Sequence, residues 1–170
     1  MTITQEQLIS ARQQARQGII MATAAKNAAR EAVRTARARQ HTVVATATRS
    51  RTYTLAAITD ATQTSRTNVI GIRNNPDNNP DNNHEPDNHN PAVVPTLDAI
   101  RKASSFLRGT QTAADNAYDD WANLLIEEHQ FGLLRPQEIY TLAGITKQRF
   151  SKIRQTYETP PASPAQPTQS

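Results

Sequence analysis

Apolar residues recur at helical spacing through most of this chain, and the intervals between them set the expected elements. After a capping box at Thr4 and Gln7, Ala11, Ala15, Ala22, Ala25, Ala29, Ala32 and Ala36 join Leu8, Ile19 and Val33 in a small-residue seam running to about Arg39. Lys26 and the arginines at 12, 16, 30, 34, 37 and 39 fall off that seam. Gly18 either breaks the run into two helices or stays within it at a cost of about 1 kcal/mol. Val43, Val44 and Ala47 can continue the helix toward the next short elements, though the Thr-rich run weakens it. Further on, Thr96 caps a helix carrying Leu97, Ile100, Ser104 and Leu107, which Gly109 is expected to end. A new helix then starts near Thr112, with Ala114, Ala117, Tyr118, Trp121, Leu124 and Leu125 as its stripe, and closes at Phe131-Gly132. Trp121, the sole tryptophan, is the expected anchor of that core.

The stretch Pro136–Arg154, PQEIYTLAGITKQRFSKIR, reads as two short helices around a tight turn. Pro136 suits a first helical position, and Glu138 suits the positive helix start. Ile139, Leu142 and Ala143 keep helical spacing, Gly144 permits the turn, and Thr146 caps the second helix. Phe150 and Ile153 give that helix a single apolar stripe, leaving Lys147, Gln148, Arg149, Lys152 and Arg154 on its other faces.

Leu55–Arg73, LAAITDATQTSRTNVIGIR, repeats this register 81 residues earlier without a gap. Ile58 answers Ile139, Gln63 answers Gly144, Ser65 answers Thr146, Arg66 answers Lys147, Val69 answers Phe150, and Ile72 and Arg73 answer Ile153 and Arg154. Only three of the aligned pairs are identical, so the argument rests on kept apolar, capping and basic slots.

Both stretches resemble the helix-turn-helix of DNA-binding regulators. The paired arrangement is similar to two-unit regulators of actinobacteria and their phages, immunity repressors among them, and to sigma-factor region-four helices. The resemblance implies an all-α fold of two small helical units, each ending in a helix-turn-helix. It also implies a second helix whose first turn reads base edges in the major groove while flanking cations hold phosphates. Carried over residue by residue, that nominates Arg66, Thr67 and Asn68 as readers with Arg73 on the backbone. In the second copy it nominates Lys147, Gln148 and Arg149, with Lys152 and Arg154 as further contacts. Arg135 stands where such helices place a Ser, Thr or Asp cap, exchanging the cap for a cation. Gly71 within the first reader is also atypical. Two unlike readers in one chain imply an asymmetric, bipartite site.

Composition sharpens this reading. Residues 1–75 hold eleven Lys/Arg against three Asp/Glu, whereas residues 96–170 hold eight of each. A basic first half suits phosphate contact. Asn74–Pro91 is a run of Asn, Pro and Asp with almost nothing apolar, which reads as a disordered linker over 76–95 between units at 1–75 and 96–157. Such a linker spans roughly 25 Å, and a cut at Asn82 is then expected to leave two folded halves. The Pro-rich tail from 158 to 170 is expected to be disordered as well. There is no Cys, and His84 and His89 lack ligand spacing, so neither metal nor cofactor is expected. Asp119-Asp120 and Glu127-Glu128 fall on an exposed helix face with no nucleophile–base arrangement nearby, which argues against an enzyme.

The sequence therefore predicts a cytoplasmic, nucleoid-associated transcriptional regulator, a repressor, whose partner is double-stranded DNA. No membrane or small-molecule substrate is expected. A monomer on DNA is the expected form, with dimerisation through the N-terminal helix as the alternative. Competing readings are an accessory factor in replication, partition or recombination, and a helical protein-interaction adaptor using the acidic helix and the Ala seam.

Overall fold

A computed structural model describes residues 4–75 and 94–158. The expected linker, apart from its last two residues, and all but the first residue of the expected tail lie outside the described residues, as do His84 and His89. The described chain is all-helical: α1 (Gln5–Arg49), α2 (Leu55–Thr62), α3 (Arg66–Asn74), α4 (Leu97–Phe131), α5 (Pro136–Leu142) and α6 (Lys147–Glu158). None of these helices is long and apolar enough to cross a membrane.

Local signals placed most of the helix ends. Thr4 and Gln7 exchange hydrogen bonds at the start of α1, with Thr4 N donating to Gln7 Oε1 at 2.9 Å and Gln7 N to Thr4 Oγ1 at 3.3 Å. Ser65 accepts from Asn68 N, Thr96 from Ala99 N and Thr146 from Arg149 N. Pro136 occupies the start of α5. Of the two alternatives at Gly18, the unbroken helix holds, and the expected end at Gly109 does not occur. Gly18 lies inside α1 and Gly109 inside α4, because one helical Gly costs only about 1 kcal/mol and the packed flanks outweigh it.

The chain forms two compact units, and they differ from the expected division at the linker. One comprises residues 1–27 and 116–170, the other residues 28–115, so the boundaries fall inside α1 and inside α4. In the first, Ala15 and Ile19 of α1 pack with Trp121, Ala122, Leu125 and Ile126 of α4 and with Ile139, Phe150 and Ile153. In the second, Val44 and Ala47 of α1 pack with Ile58, Ala61 and Val69 and with Ile100 of α4. Each core thus needs residues from both sides of 76–93. A cut at Asn82 would divide both cores, not separate them. The periodicity of α1 and α4 showed which faces were apolar but carried nothing about which face met which.

The 81-residue repeat extends well beyond the short helices. The four left-handed residues described form two pairs at that offset, Arg51 with Gly132 and Gln63 with Gly144. Ile19 and Ile100 share the offset, and both are fully buried. Two hydrogen bonds correspond as well, one buried and one partly buried. Gln40 Nε2 donates to Ser104 Oγ at 2.9 Å, and Trp121 Nε1 donates to Thr23 Oγ1 at 3.0 Å. Adding 81 to Gln40 gives Trp121, and adding 81 to Thr23 gives Ser104. Each bond joins the first repeat to the second.

The α1 seam is narrower than the sequence suggested. Ala15, Ile19, Val33 and Ala36 are buried, while Leu8, Ala25 and Ala32 are exposed. Lys26 is buried instead, its Nζ 3.6 Å from the centre of the Trp121 ring. A cation over an indole face is electrostatically favourable, and the lysine stem covers apolar surface.

Candidate functional site

The two short helix pairs present the polar residues that the sequence nominated. Lys147, Gln148 and Arg149 form the first turn of α6 and are exposed. Phe150 and Ile153 turn the opposite face of α6 into the core, where Phe150 meets His129 edge-on with ring centres 5.7 Å apart. Helical spacing then puts Gln148, Ser151, Lys152 and Gln155 on the outward face, all four exposed. Ser151 and Gln155 went unnoticed in the sequence because they lie beyond the first turn and are not cations. Arg154 is half-buried, and its Nε donates to both carboxylate oxygens of Glu158 at 3.1 and 3.2 Å. That contact holds the Glu158 carboxyl below the ordinary carboxylate range and leaves Arg154 less available than its neighbours.

In the other pair, Arg66, Thr67 and Asn68 form the exposed first turn of α3. Thr67 and Asn68 line a groove of about 360 Å³ whose far wall is α1, through Arg37, Gln40 and His41; Arg66 is not among its lining residues. All three nominated readers of this copy are exposed, and two of them border this groove. Burial, and then the charge of Arg37, push the His41 imidazolium toward deprotonation. Arg73 is exposed, with its Nε donating to Asn74 Oδ1, and its carbonyl accepts from Arg49 Nη2 at 3.0 Å. Gly71 sits within α3 with open space around it and does not end the helix.

Arg135 precedes α5 and gives it no side-chain cap, as its all-donor guanidinium requires. Glu138 satisfies the helix start from within, accepting from Arg135 N at 3.1 Å. The same carboxylate accepts a hydrogen bond from Arg16 and pairs with Arg12 at 3.5 Å. The Arg16 bond, followed by the Arg135 backbone bond, holds the Glu138 carboxyl below its ordinary range. The result is a groove of about 600 Å³ walled by Arg12, Arg16, Arg135 and Glu138. The sequence placed the first two arginines off the seam but could not pair them with a residue 122 positions away.

The acidic face of α4 is less uniform than expected. Asp119 accepts a hydrogen bond from the Tyr157 hydroxyl, whose pKa is pushed up to about 12 by burial and then by that carboxylate. Glu128 is half-buried, with Oε2 enclosed and lacking a hydrogen-bond partner; burial and Glu127 push its pKa up. Among the described residues no cluster of three or more His, Asp or Glu side chains is placed to hold a metal ion. Regrouped by compact unit, the charges are eleven Lys/Arg against eight Asp/Glu for 28–115 and eight against seven for the other unit. The basic excess of the first half is therefore distributed between both units, and cation placement is a local matter.

No family model, curated protein or solved structure matches this chain.

Proposed function

We infer that the protein is a sequence-specific double-stranded DNA-binding regulator of transcription, acting as a repressor, in which α2–α3 and α5–α6 serve as helix-turn-helix units and α3 and α6 as readers. The observation that carries this reading is the repeated local geometry. A left-handed residue, a hydroxyl cap and an exposed polar first turn recur in both pairs at one offset. An isolated helical turn needs no such duplication, whereas two contacts to a periodic duplex do. On α6, Gln148 lies in line with Lys152 and Gln155, which suits a base reader flanked by a phosphate contact. Gln can bond bidentately to adenine. Because the exposed first turns differ, RTN against KQR, the recognised site is asymmetric.

Substitution tests the assignment. Gln148→Ala is expected to relax preference at one base position by about 1–3 kcal/mol. Lys152→Ala is expected to weaken every sequence about equally and to reduce the salt slope by about 1. Competition binding with point-changed duplexes measures both. Equal, uniform effects from the two variants would remove α6 as the reader.

A second reading, a helical protein-interaction adaptor, is favoured by Ile20 and Met21 on α1, which are 53% and 65% exposed. Tight protein capture without duplex selectivity would support it.

A further inference from the structure

We propose that the groove where Arg12, Arg16 and Arg135 meet around Glu138 binds a phosphodiester of the DNA backbone, with Glu138 as the internal anion that the phosphate displaces. This rests on the DNA-binding reading above and adds α1 to the interface, an element that reading leaves out.

Two guanidiniums, those of Arg12 and Arg16, share the Glu138 carboxylate, and Arg135, which reaches it only through its backbone N–H, lines the same groove, so three positive charges face one negative, a formal +2. Guanidiniums stay charged at any relevant pH, so the imbalance is permanent. The side chains of Arg12 and Arg16 keep 40% and 47% of their surface exposed while contacting Glu138, so both retain donors that face solvent. Arg12 also leaves its Nε enclosed and unbonded, a donor that the carboxylate does not satisfy. Carboxylate and phosphate compete for the same forked N–H geometry, and Arg grips both bidentately. Gln137 and Thr141 add polar groups to the groove wall. One wall of the groove is α5, the partner of the α6 helix that carries Lys147 and Gln148, and backbone contacts flank base contacts in such interfaces.

The test measures affinity of the full-length protein for a duplex obtained by binding-site selection, across a salt series. Arg12→Ala/Arg16→Ala is expected to weaken all sequences alike, about tenfold, the scale of one lost charged hydrogen-bonding contact. Its log–log salt slope is expected to be shallower by about 0.9, the value of one phosphate. Arg12→Lys/Arg16→Lys keeps the charges and should recover most of the slope, which separates lost contact from lost fold. Glu138→Gln is the decisive variant. Gln can still accept from Arg135 N, so the helix start survives, while the competing anion is gone. Binding should then tighten several-fold. A merely structural clasp gives the opposite sign, weaker binding with Glu138→Gln and an unchanged slope with the double alanine variant. That outcome overturns the groove while the DNA-binding reading stands. If the unaltered protein shows no salt-dependent duplex binding, the functional reading falls first and the proposal with it. If inorganic phosphate saturates the groove and the duplex affinity ignores every variant, the site takes a small anion and the backbone assignment is overturned.

Discussion

Gln63 and Gly144 adopt the same left-handed backbone at the same place in two turns, yet only one is glycine. Adding a Cβ at Gly144 meets nothing within 4 Å, so Gly144→Ala isolates the backbone cost, about 1 kcal/mol of stability lost. Gly109 is also open to a Cβ but lies inside α4, so Gly109→Ala should gain about 1 kcal/mol. Chemical denaturation of both variants checks the opposite signs. Two gains, or two losses, would mean that one of these backbone assignments is wrong. Glu138 sets a pH expectation at the same scale. Its carboxyl is lowered from 4.5 by Arg16 and the Arg135 backbone, so its contribution to stability is full above about that pH. It is lost as pH falls through the lower folded value. Glu138→Gln should therefore flatten the acid limb of a stability–pH profile below pH 4.5 and leave the neutral region nearly level. An unchanged acid limb would show that the clasp is not titrating.

At the scale of elements, the parts legible in the sequence were those set by nearby residues. Caps at Ser65, Thr96 and Thr146, the turn at Gly144 and the stripe through Phe150 and Ile153 each depend on atoms within a few positions, and the structure has them where the spacing put them. The parts that were not legible depend on distant partners. Lys26 appeared solvated until Trp121 was placed beneath its ammonium, and Glu138 appeared to serve its own helix until Arg12 and Arg16 reached it. Glycine punctuation misled at Gly109 for a related reason, since Gly18 and Gly109 both lie in helices whose packing exceeds a local penalty of about 1 kcal/mol. Trp121 joins these levels. It is 1% exposed, donates to Thr23 and lies under Lys26, so Trp121→Ala should cost about 3–5 kcal/mol. Thermal unfolding measures this, and the native emission of the sole tryptophan should be blue-shifted relative to the unfolded chain. Emission already matching the unfolded state would place the ring in water and undo that core.

For the whole molecule, the cores impose a consequence that the sequence order concealed. Each draws on residues before and after 76–93, with Ala15 and Ile19 beside Trp121 in one and Ile100 beside Val44 in the other. A protease site introduced after Asn82 should therefore yield, on cleavage, one non-covalent species that keeps its helicity. The separated fragments should each lose cooperative unfolding. Fragments that part and fold independently would contradict the shared cores. The proposed function likewise belongs to the whole chain: if both short helix pairs read DNA, their unlike exposed first turns imply a single asymmetric target. The most direct test is selection of binding sites by the purified full-length protein from a pool of random duplexes. The account predicts enrichment of an asymmetric motif in two parts, one of which changes with Gln148→Ala. Recovery of no motif, with sequences retained in proportion to the input pool, would contradict it.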